Sequence, residues 1–502
     1  MSNTHRISFF LSLLCAAFSA GAEDVYSPGG WATLHQGPAN QKLVEDVSLA
    51  EHYRTWTALA GAAVLTAPTL SPDGRVLYAT TGRARGAHNL HAFSIEGELL
   101  WQAEAWSSPT RGVDPCAILS SPIVDRDGDL YIGDCNQLFA YRPDGGVKWV
   151  APLPPSQEGD WQAAQTLPIN ALTTAVFTSQ GHVFGVTNFG DVVLFERETG
   201  RTLLEPTRLP GLLPPASNAI PMPDTVFGSG LVDPEIRVWA WQLLFGGAMR
   251  SANTPAVNLE TGRIFVAATS VNEGQGALYG LDLVPSADGY RVEIAFATDM
   301  GIGSGSSPSL SPAGDRVYVS DEEGLFYAVD ASSGEIFWRV QTKAASAAAA
   351  VGANGDIYSL QAHGPALIAI TPDGHVKWQS DLQALADARL PSSWLLGDPV
   401  PIGNGNPTVL DDVVLVPVAY GYETHLGRRI PWPVESALVA VDLETGVGVR
   451  DVVSLADDST GITAVLPTGT ILNSLGTALT SGVKSLAAME WLLPGEIGRA
   501  HV

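Results

Sequence analysis

SSPIVDRDGDLYIGDCNQLFAYRPDGGVKW, from Ser120 to Trp149, decides how the rest of the chain is read. A small-polar-proline start leads into Ile123-Val124, and the Asp127-Gly128 pair then reverses the chain. Leu130-Tyr131-Ile132 follows, then a second reversal and Leu138-Phe139-Ala140-Tyr141. Pro143-Asp144-Gly145 turns the chain once more into a strand that ends at Trp149. Asp, Asn and Gly at the reversals favour tight hairpins, so the stretch predicts four short antiparallel strands.

The unit recurs. SSPSLSPAGDRVYVSDEEGLFYAVDASSGEIFW runs from Ser306 to Trp338, and AAAVGANGDIYSLQAHGPALIAITPDGHVKW from Ala348 to Trp378. Weaker copies begin near Ala67, Leu172, Asn253, Asn406 and Gly461, and the second strand of each copy carries Tyr78, Tyr131, Phe184, Phe265, Tyr318, Tyr358, Leu415 or Leu472. A lone four-stranded unit cannot bury both faces. Stacked radially, each unit covers its neighbour and only short edges stay exposed. The expected fold is therefore all-β, a β-propeller of about eight four-stranded blades, with seven as the alternative count because the last copy is degenerate. Strand alternation alone would also suit a sandwich; the regular turns and the repeated tryptophan favour the propeller.

The spacing Ala-x-x-x-x-x-Gly-x-x-x-Trp at Ala328, Gly334 and Trp338 resembles the tryptophan-docking motif of the pyrroloquinoline-quinone (PQQ)-type propellers. Near copies run from Ala140 to Trp149 and from Ala369 to Trp378, and Trp101 closes a looser one. The resemblance covers roughly residues 60–480 and implies structural docking roles for Trp101, Trp149, Trp338 and Trp378, each packed between adjacent blades. WATLHQGPAN, Trp31 to Asn40, resembles the segment that opens such proteins, which places residues 23–60 near the ring closure. Two features of the family are missing. No adjacent cysteine pair is present to lie against the quinone, and Leu14 precedes Cys15 where a lipidation signal needs a small residue.

Composition agrees with a large core and many turns. Of 502 residues, 52 are Gly and 34 Pro, and only 16% are charged. Arg6, the apolar run Ile7 to Phe18 and Ala20-Gly21-Ala22 read as a signal peptide over 1–22. That run is too short for a membrane anchor. A periplasmic or secreted location follows, and the two remaining cysteines, Cys116 and Cys135, are expected to pair as a disulfide. A net charge of −25 disfavours nucleic acid as a partner. The propeller is assigned to 61–495 with an insertion at 206–250, where PEIRVWAWQLLFGG (Pro234 to Gly247) suggests one short helix. The insertion reads equally as a lid or as a decorative cap. The terminal EIGRAHV (Glu496 to Val502) matches the in-frame translation of a common sequencing adapter, so 496–502 are expected to be foreign to the natural chain.

No catalytic motif is found. Asp125, Asp127 and Asp129 have calcium-loop spacing, but Asn136 stands at the closing position, so a hairpin turn is the better reading. By analogy with other propellers, ligands gather where the innermost strands begin. Arg111, Asp114, Ser120, Arg250, Asn253, Lys343 and Asn406 precede those strands. Arg250 and Lys343, with Asn253 and Asn406 beside them, are candidates to hold a carboxylate ligand. Two functions remain open: an exported, non-catalytic binding or scaffold propeller, monomeric, with an unknown protein or small-molecule ligand; or a PQQ- and calcium-dependent dehydrogenase of alcohols or sugars. A carbohydrate-active propeller is a third reading, one that needs paired acids in one pocket.

Overall fold

The computed structural model describes residues 25–50, 53–59, 62–157, 159, 169–213, 249–303, 306–342, 348–361, 366–394, 396–402, 405–425, 429–447, 450–455 and 462–474. The signal peptide at 1–22, the helix expected near 234–247, Lys343 and the terminal 496–502 lie outside them.

The unit quoted above folds as four strands: Ile123–Val124, Leu130–Gly133, Gln137–Tyr141 and Val147–Pro152. Each pairs antiparallel with the next in sequence, in the order they are written. Their burial explains the sequence pattern. The first three strands are buried along their whole length, while the fourth, outermost strand is exposed or half-buried at every position but Ala151. Asp125 makes the first reversal, its Oδ1 accepting from the Asp127 and Asp129 amides at 3.0 and 2.9 Å. Its Oδ2 accepts from Tyr131 Oη at 3.0 Å and from Arg197 Nη1 at 2.9 Å, so that carboxylate is occupied.

Seven such sheets form blades 1 to 7 over residues 69–102, 123–152, 176–208, 256–300, 309–341, 350–381 and 400–455. Blade 7 carries a fifth strand, Val400–Ile402. A two-stranded hairpin, Thr463–Val465 with Ile471–Asn473, holds the eighth position in the ring. Ser121 Oγ of blade 2 donates to Ala67 O beside blade 1 at 2.8 Å. Thr408 Oγ1 of blade 7 donates to Thr463 O of the hairpin at 2.7 Å, and Ser474 Oγ then donates to Thr66 O, which brings the hairpin back to blade 1.

Tryptophans weld neighbouring blades. The rings of Trp101, Trp149, Trp338 and Trp378 lie flat on Gly145, Gly200, Gly374 and Gly446, each in the next blade's turn between its third and fourth strands. A Cβ on any of these glycines would come within 3.0 Å of the ring, and all four have positive φ. Each indole N–H donates to a carbonyl of the same turn, for instance Trp149 Nε1 to Arg197 O at 2.9 Å and Trp338 Nε1 to Pro372 O at 2.9 Å. Large apolar rings and one polar handle suit this wedge. In blade 4 the docking residue is Phe296, which covers Gly334 of blade 5.

The segment from Tyr26 to Val44 is tied to all seven blades. The carbonyls of Trp31, Ala32, Pro38, Ala39, Gln41 and Lys42 accept, at 2.7 to 2.9 Å, from the amides of Leu70, Val124, Val257, Leu310, Val351 and Val409. Each of these amides belongs to the second residue of an innermost strand, in blades 1, 2, 4, 5, 6 and 7. Tyr26 Oη donates to Phe177 O of blade 3 at 2.7 Å. The segment therefore lies across one end of the ring, with Trp31 fully buried. At about 1 kcal/mol net per hydrogen bond, its main-chain contacts contribute on the order of 6 kcal/mol before ordering entropy is counted.

Candidate functional site

Strand direction separates the two ends of the ring. Tight turns and the N-terminal segment lie where innermost strands end. The opposite end, where they begin, carries every long connection between blades, including 103–122, 153–175, 209–255 and 382–399. Loops on a rigid frame are where binding residues concentrate. This end is the candidate site.

The connection before blade 2 is the best fixed of these. Asp114 caps a 3-10 turn, Pro115–Leu119, by accepting from the Cys116 amide at 2.9 Å. Its carboxylate also accepts from the Cys135 amide at 3.1 Å and from Asn136 Nδ2 at 2.9 Å. Cys116 and Cys135 are joined as the disulfide expected from sequence, with Cα atoms 5.2 Å apart. Asp134 lies against Asp114: its Oδ2 accepts from the Asp114 amide at 3.2 Å, and its Oδ1 from the amides of Asn136 and Gln137, both at 2.8 Å. Burial raises the Asp114 carboxyl to about 6, and burial together with the Asp114 charge pushes Asp134 well above the usual carboxylate range. The pair therefore retains a proton under conditions in which exposed acids have lost theirs. Both groups hold a loop in place.

The other residues singled out by sequence are placed as follows. Ser120 is buried behind the 3-10 turn, and its Oγ has no protein partner. Its carbonyl accepts from Thr80 Oγ1 of blade 1 at 2.9 Å. Asn253 precedes blade 4 and donates to Ser251 Oγ at 3.2 Å and to Ala267 O at 2.5 Å. Asn406 precedes blade 7's innermost strand, Thr408–Val409, bridges Ile462 and buries an Oδ1 that accepts nothing from the protein. Arg250 directs Nε to Gly211 O at 2.8 Å and Nη1 to Phe189 O at 2.9 Å, joining blade 3 to the connection that follows it. Arg111 pairs with Glu104 on the exposed side of the 103–122 connection. Ser120, Asn253 and Asn406 each stand shortly before the innermost strand of blades 2, 4 and 7. Arg111 stands apart from them.

Apolar side chains that sequence reasoning missed lie at this same end. Leu212, Val271 and Ile302 are exposed. Their loops are linked by main-chain bonds from Leu212 N to Ser270 O (2.8 Å), Gly276 N to Gly301 O (3.0 Å) and Glu322 N to Ile302 O (2.8 Å). Exposed Glu273, Glu322 and Glu323 stand on the same loops. No short motif marks the three residues, since each sits in a different connection.

A carboxylate-bearing quinone with its calcium ion needs cations directed at the quinone and several oxygen ligands free for the metal. Among the described residues that the sequence singles out at this end, that donor set is not met. Asp114 and Asp134 accept from backbone amides, Arg250 donates to backbone carbonyls, and Ser120, Asn253 and Asn406 offer only neutral hydroxyl and amide groups.

Comparison with known proteins follows the same division between clear fold and open role. No curated protein sequence matches the chain. Among solved structures it is similar to a europium-containing methanol dehydrogenase, at 11% identity over 91% of this chain and 92% of that one, with a TM-score of 0.53. It is also similar to the quinohemoprotein alcohol dehydrogenase from Comamonas testosteroni, at 12% identity over 87% of this chain and 75% of that one, with a TM-score of 0.51. BamB from Moraxella catarrhalis aligns at 12% identity over 79% of this chain and 92% of that one, with a TM-score of 0.44. Identities this low speak for the fold alone. The model of the PQQ-type repeat family described as outer membrane protein assembly factor BamB matches residues 51–243 and 256–461, and the chain belongs to that family.

Proposed function

We propose that the protein is an exported, non-catalytic binding propeller that holds a protein partner on the end of the ring carrying its long connections. One observation carries the reading: the exposed apolar trio Leu212, Val271 and Ile302, on loops linked by main-chain bonds and with exposed acids on the same loops. An apolar centre with a polar rim is the usual build of a protein-binding patch. The disulfide supports export, since such bonds persist in oxidising compartments. Among the described residues no helix is long and apolar enough to cross a membrane.

The test places a photo-crosslinking residue at Val271 and, as a control, at exposed Leu99 near the opposite end, in protein exported to the periplasm. A discrete polypeptide adduct from position 271 and not from 99 supports the reading. Equal, diffuse labelling from both positions overturns it. Thermal unfolding with PQQ and calcium provides the second arm. A saturable rise in midpoint would mean that the native state binds the quinone, and the dehydrogenase reading would replace this one.

A further inference from the structure

The connection before blade 2 holds a second chemistry that its disulfide conceals. Asp114, Cys116 and Cys135 turn toward one point, where a carboxylate oxygen and both sulfurs lie within 4.8 Å of one another. Among the described residues no other group of three His, Cys, Asp or Glu side chains meets in this way. Asp114 caps the 3-10 turn that contains Cys116. Cys135 stands in the reversal between blade 2's second and third strands, Leu130–Gly133 and Gln137–Tyr141.

The backbone that carries the two cysteines is held by more than the bond between their sulfurs. The amides of Cys116 and Cys135 both donate to Asp114, at 2.9 and 3.1 Å. The reversal around Cys135 is fixed again by Asp134 Oδ1, which accepts from the amides of Asn136 and Gln137. The two Cα atoms are 5.2 Å apart, so the sulfurs remain neighbours when the bond between them is open. Asp114 also keeps a position for an ion. Oδ1 takes the two amides, while Oδ2 accepts from Asn136 Nδ2 at 2.9 Å and shares the Cys135 amide at 3.2 Å. Three donors thus serve a carboxylate that offers about four lone-pair positions. Donors behind a ligating carboxylate are usual at metal sites, where they fix its direction.

Two thiolates and a carboxylate suit a borderline-soft divalent cation of the zinc class. Its bonds are about 2.3 Å to sulfur and about 2.0–2.2 Å to oxygen, and tetrahedral angles then set ligand atoms roughly 3.4–3.8 Å apart. Rotation of side chains already within 4.8 Å meets that requirement. Asp114 and Cys116 are buried and Cys135 is half-buried, so an ion and a fourth-ligand water reach the group from the Cys135 side.

We infer that, with the disulfide open, Asp114, Cys116 and Cys135 bind a zinc-class cation, and that ion and disulfide are alternative staples for the 103–122 connection. A dithiol reductant passes two electrons and two protons to the S–S bond and closes its own disulfide, leaving Cys116 and Cys135 as thiols. Each thiol then releases its proton to solvent as its sulfur bonds the ion, and the Asp114 carboxylate adds the third protein bond. A disulfide oxidant reverses the change: it takes two electrons from the two thiolates, the S–S bond forms and the ion leaves. The connection is therefore held in either redox state. This inference is independent of the partner proposed above.

The test uses the full chain with Cys15→Ser, which leaves Cys116 and Cys135 as its cysteines. The protein is reduced with a phosphine, freed of reductant in the absence of air, and titrated with zinc against a chromophoric chelator. A second titration uses cobalt(II), whose sulfur-to-metal charge-transfer absorption reports thiolate ligation. The dithiol form should bind one equivalent, show that absorption and gain thermal midpoint with zinc. The disulfide form should bind at least a hundredfold more weakly and gain nothing. Asp114→Asn should weaken binding to the dithiol form at least tenfold while the sulfur absorption persists. Equal affinity in the dithiol and disulfide forms, or cobalt bound without the sulfur absorption, would mean an adventitious ion only and overturns the inference. So does an absence of binding by dithiol protein whose far-UV circular dichroism matches that of the disulfide form. An Asp114→Asn affinity equal to the parent's, in protein with unchanged circular dichroism, overturns the three-residue site. The dithiol and disulfide forms are one polypeptide, so their comparison decides the matter even where a substitution prevents folding.

Discussion

A double-mutant cycle between Trp378 and Gly446 measures how firmly two blades are welded. Trp378 is buried in the core shared by blades 6 and 7, and its Nε1 donates to Leu443 O at 3.1 Å. Truncation to alanine removes that ring and leaves a cavity, a change that costs about 3–5 kcal/mol in other cores. Gly446 has φ +68°, and a Cβ there would meet the indole well inside contact distance. Gly446→Ala should therefore cost about 1–2 kcal/mol for the left-handed backbone and about 1–3 kcal/mol for the overlap with the ring. With Trp378 already replaced by alanine the overlap is gone and only the backbone cost remains. The two substitutions together should thus destabilise by about 1–3 kcal/mol less than the sum of the single ones. Urea denaturation followed by far-UV circular dichroism reads this directly, provided the dependence on urea is unchanged among the four proteins. Additivity to within about 0.5 kcal/mol would refute the argument, since it would mean that the ring and the glycine do not meet in solution.

Trp56→Ala should destabilise as much as Trp101→Ala, about 3 kcal/mol or more, if the N-terminal segment docks blade 1 as a blade's own tryptophan would; urea midpoints of the two variants compare them. Burial raises the Asp114 carboxyl to about 6 and the Asp134 carboxyl well above its usual range, so the stability they contribute is full below the ordinary carboxylate range and is lost as pH rises through these raised values. Asp134→Asn should flatten the fall in stability across that window, and a slope unchanged from the parent would refute the assignment. Lys42 is pushed down to about 7 by burial, and its Nζ donates to Asn40 O and Ala349 O at 3.3 and 2.6 Å. The unfolded chain holds the proton up to higher pH, so stability should climb from pH 7 towards 9.5, and Lys42→Met should abolish the climb. Cys116→Ser with Cys135→Ser opens a loop with a sequence separation of 19 and should cost about 3 kcal/mol, read as a lower urea midpoint.

The repeat was legible because it is carried by residue types with distinct physical roles. Asp-Gly turns, apolar second strands and terminal tryptophans recur at matching places, and each one survives in the structure. Phe296 was hidden for a related reason. Blade 4 has long third and fourth strands, Gly276–Ser286 and Gly289–Met300, so its docking aromatic falls out of the spacing the other copies share. Trp56 lies in front of the first recognisable copy and docks on Gly97, a partner 41 residues away (97 − 56) in a different element. The path of Trp31 to Lys42 across six blades was beyond reach by nature. It rests on main-chain carbonyls meeting main-chain amides, and nearly any side chains would permit those bonds. Arg250 marks the limit at the site itself. Sequence identifies a cation near the channel, but a guanidinium bonds a carbonyl as readily as a carboxylate, and here it bonds Phe189 O and Gly211 O.

The two ends of the ring meet different constraints, and this bears on where function can change. At the end crossed by the N-terminal segment, one added residue in a turn such as Pro143-Asp144-Gly145 would move Gly145 off the Trp101 ring and break the bond to Pro143 O. Each turn there is fixed by a neighbour as well as by its own blade. At the other end the connections run from short reversals to the stretch 209–255 without disturbing the pairing of the blades they join. Lengthening a surface loop costs little, about 0.6 kcal/mol per doubling. Recognition can therefore be rewritten at the end that carries Leu212, Val271 and Ile302 while the docking tryptophans keep the ring intact. The disulfide and the Asp114–Asp134 pair then have a clear role: they fix one long connection against a frame whose other loops are free to vary.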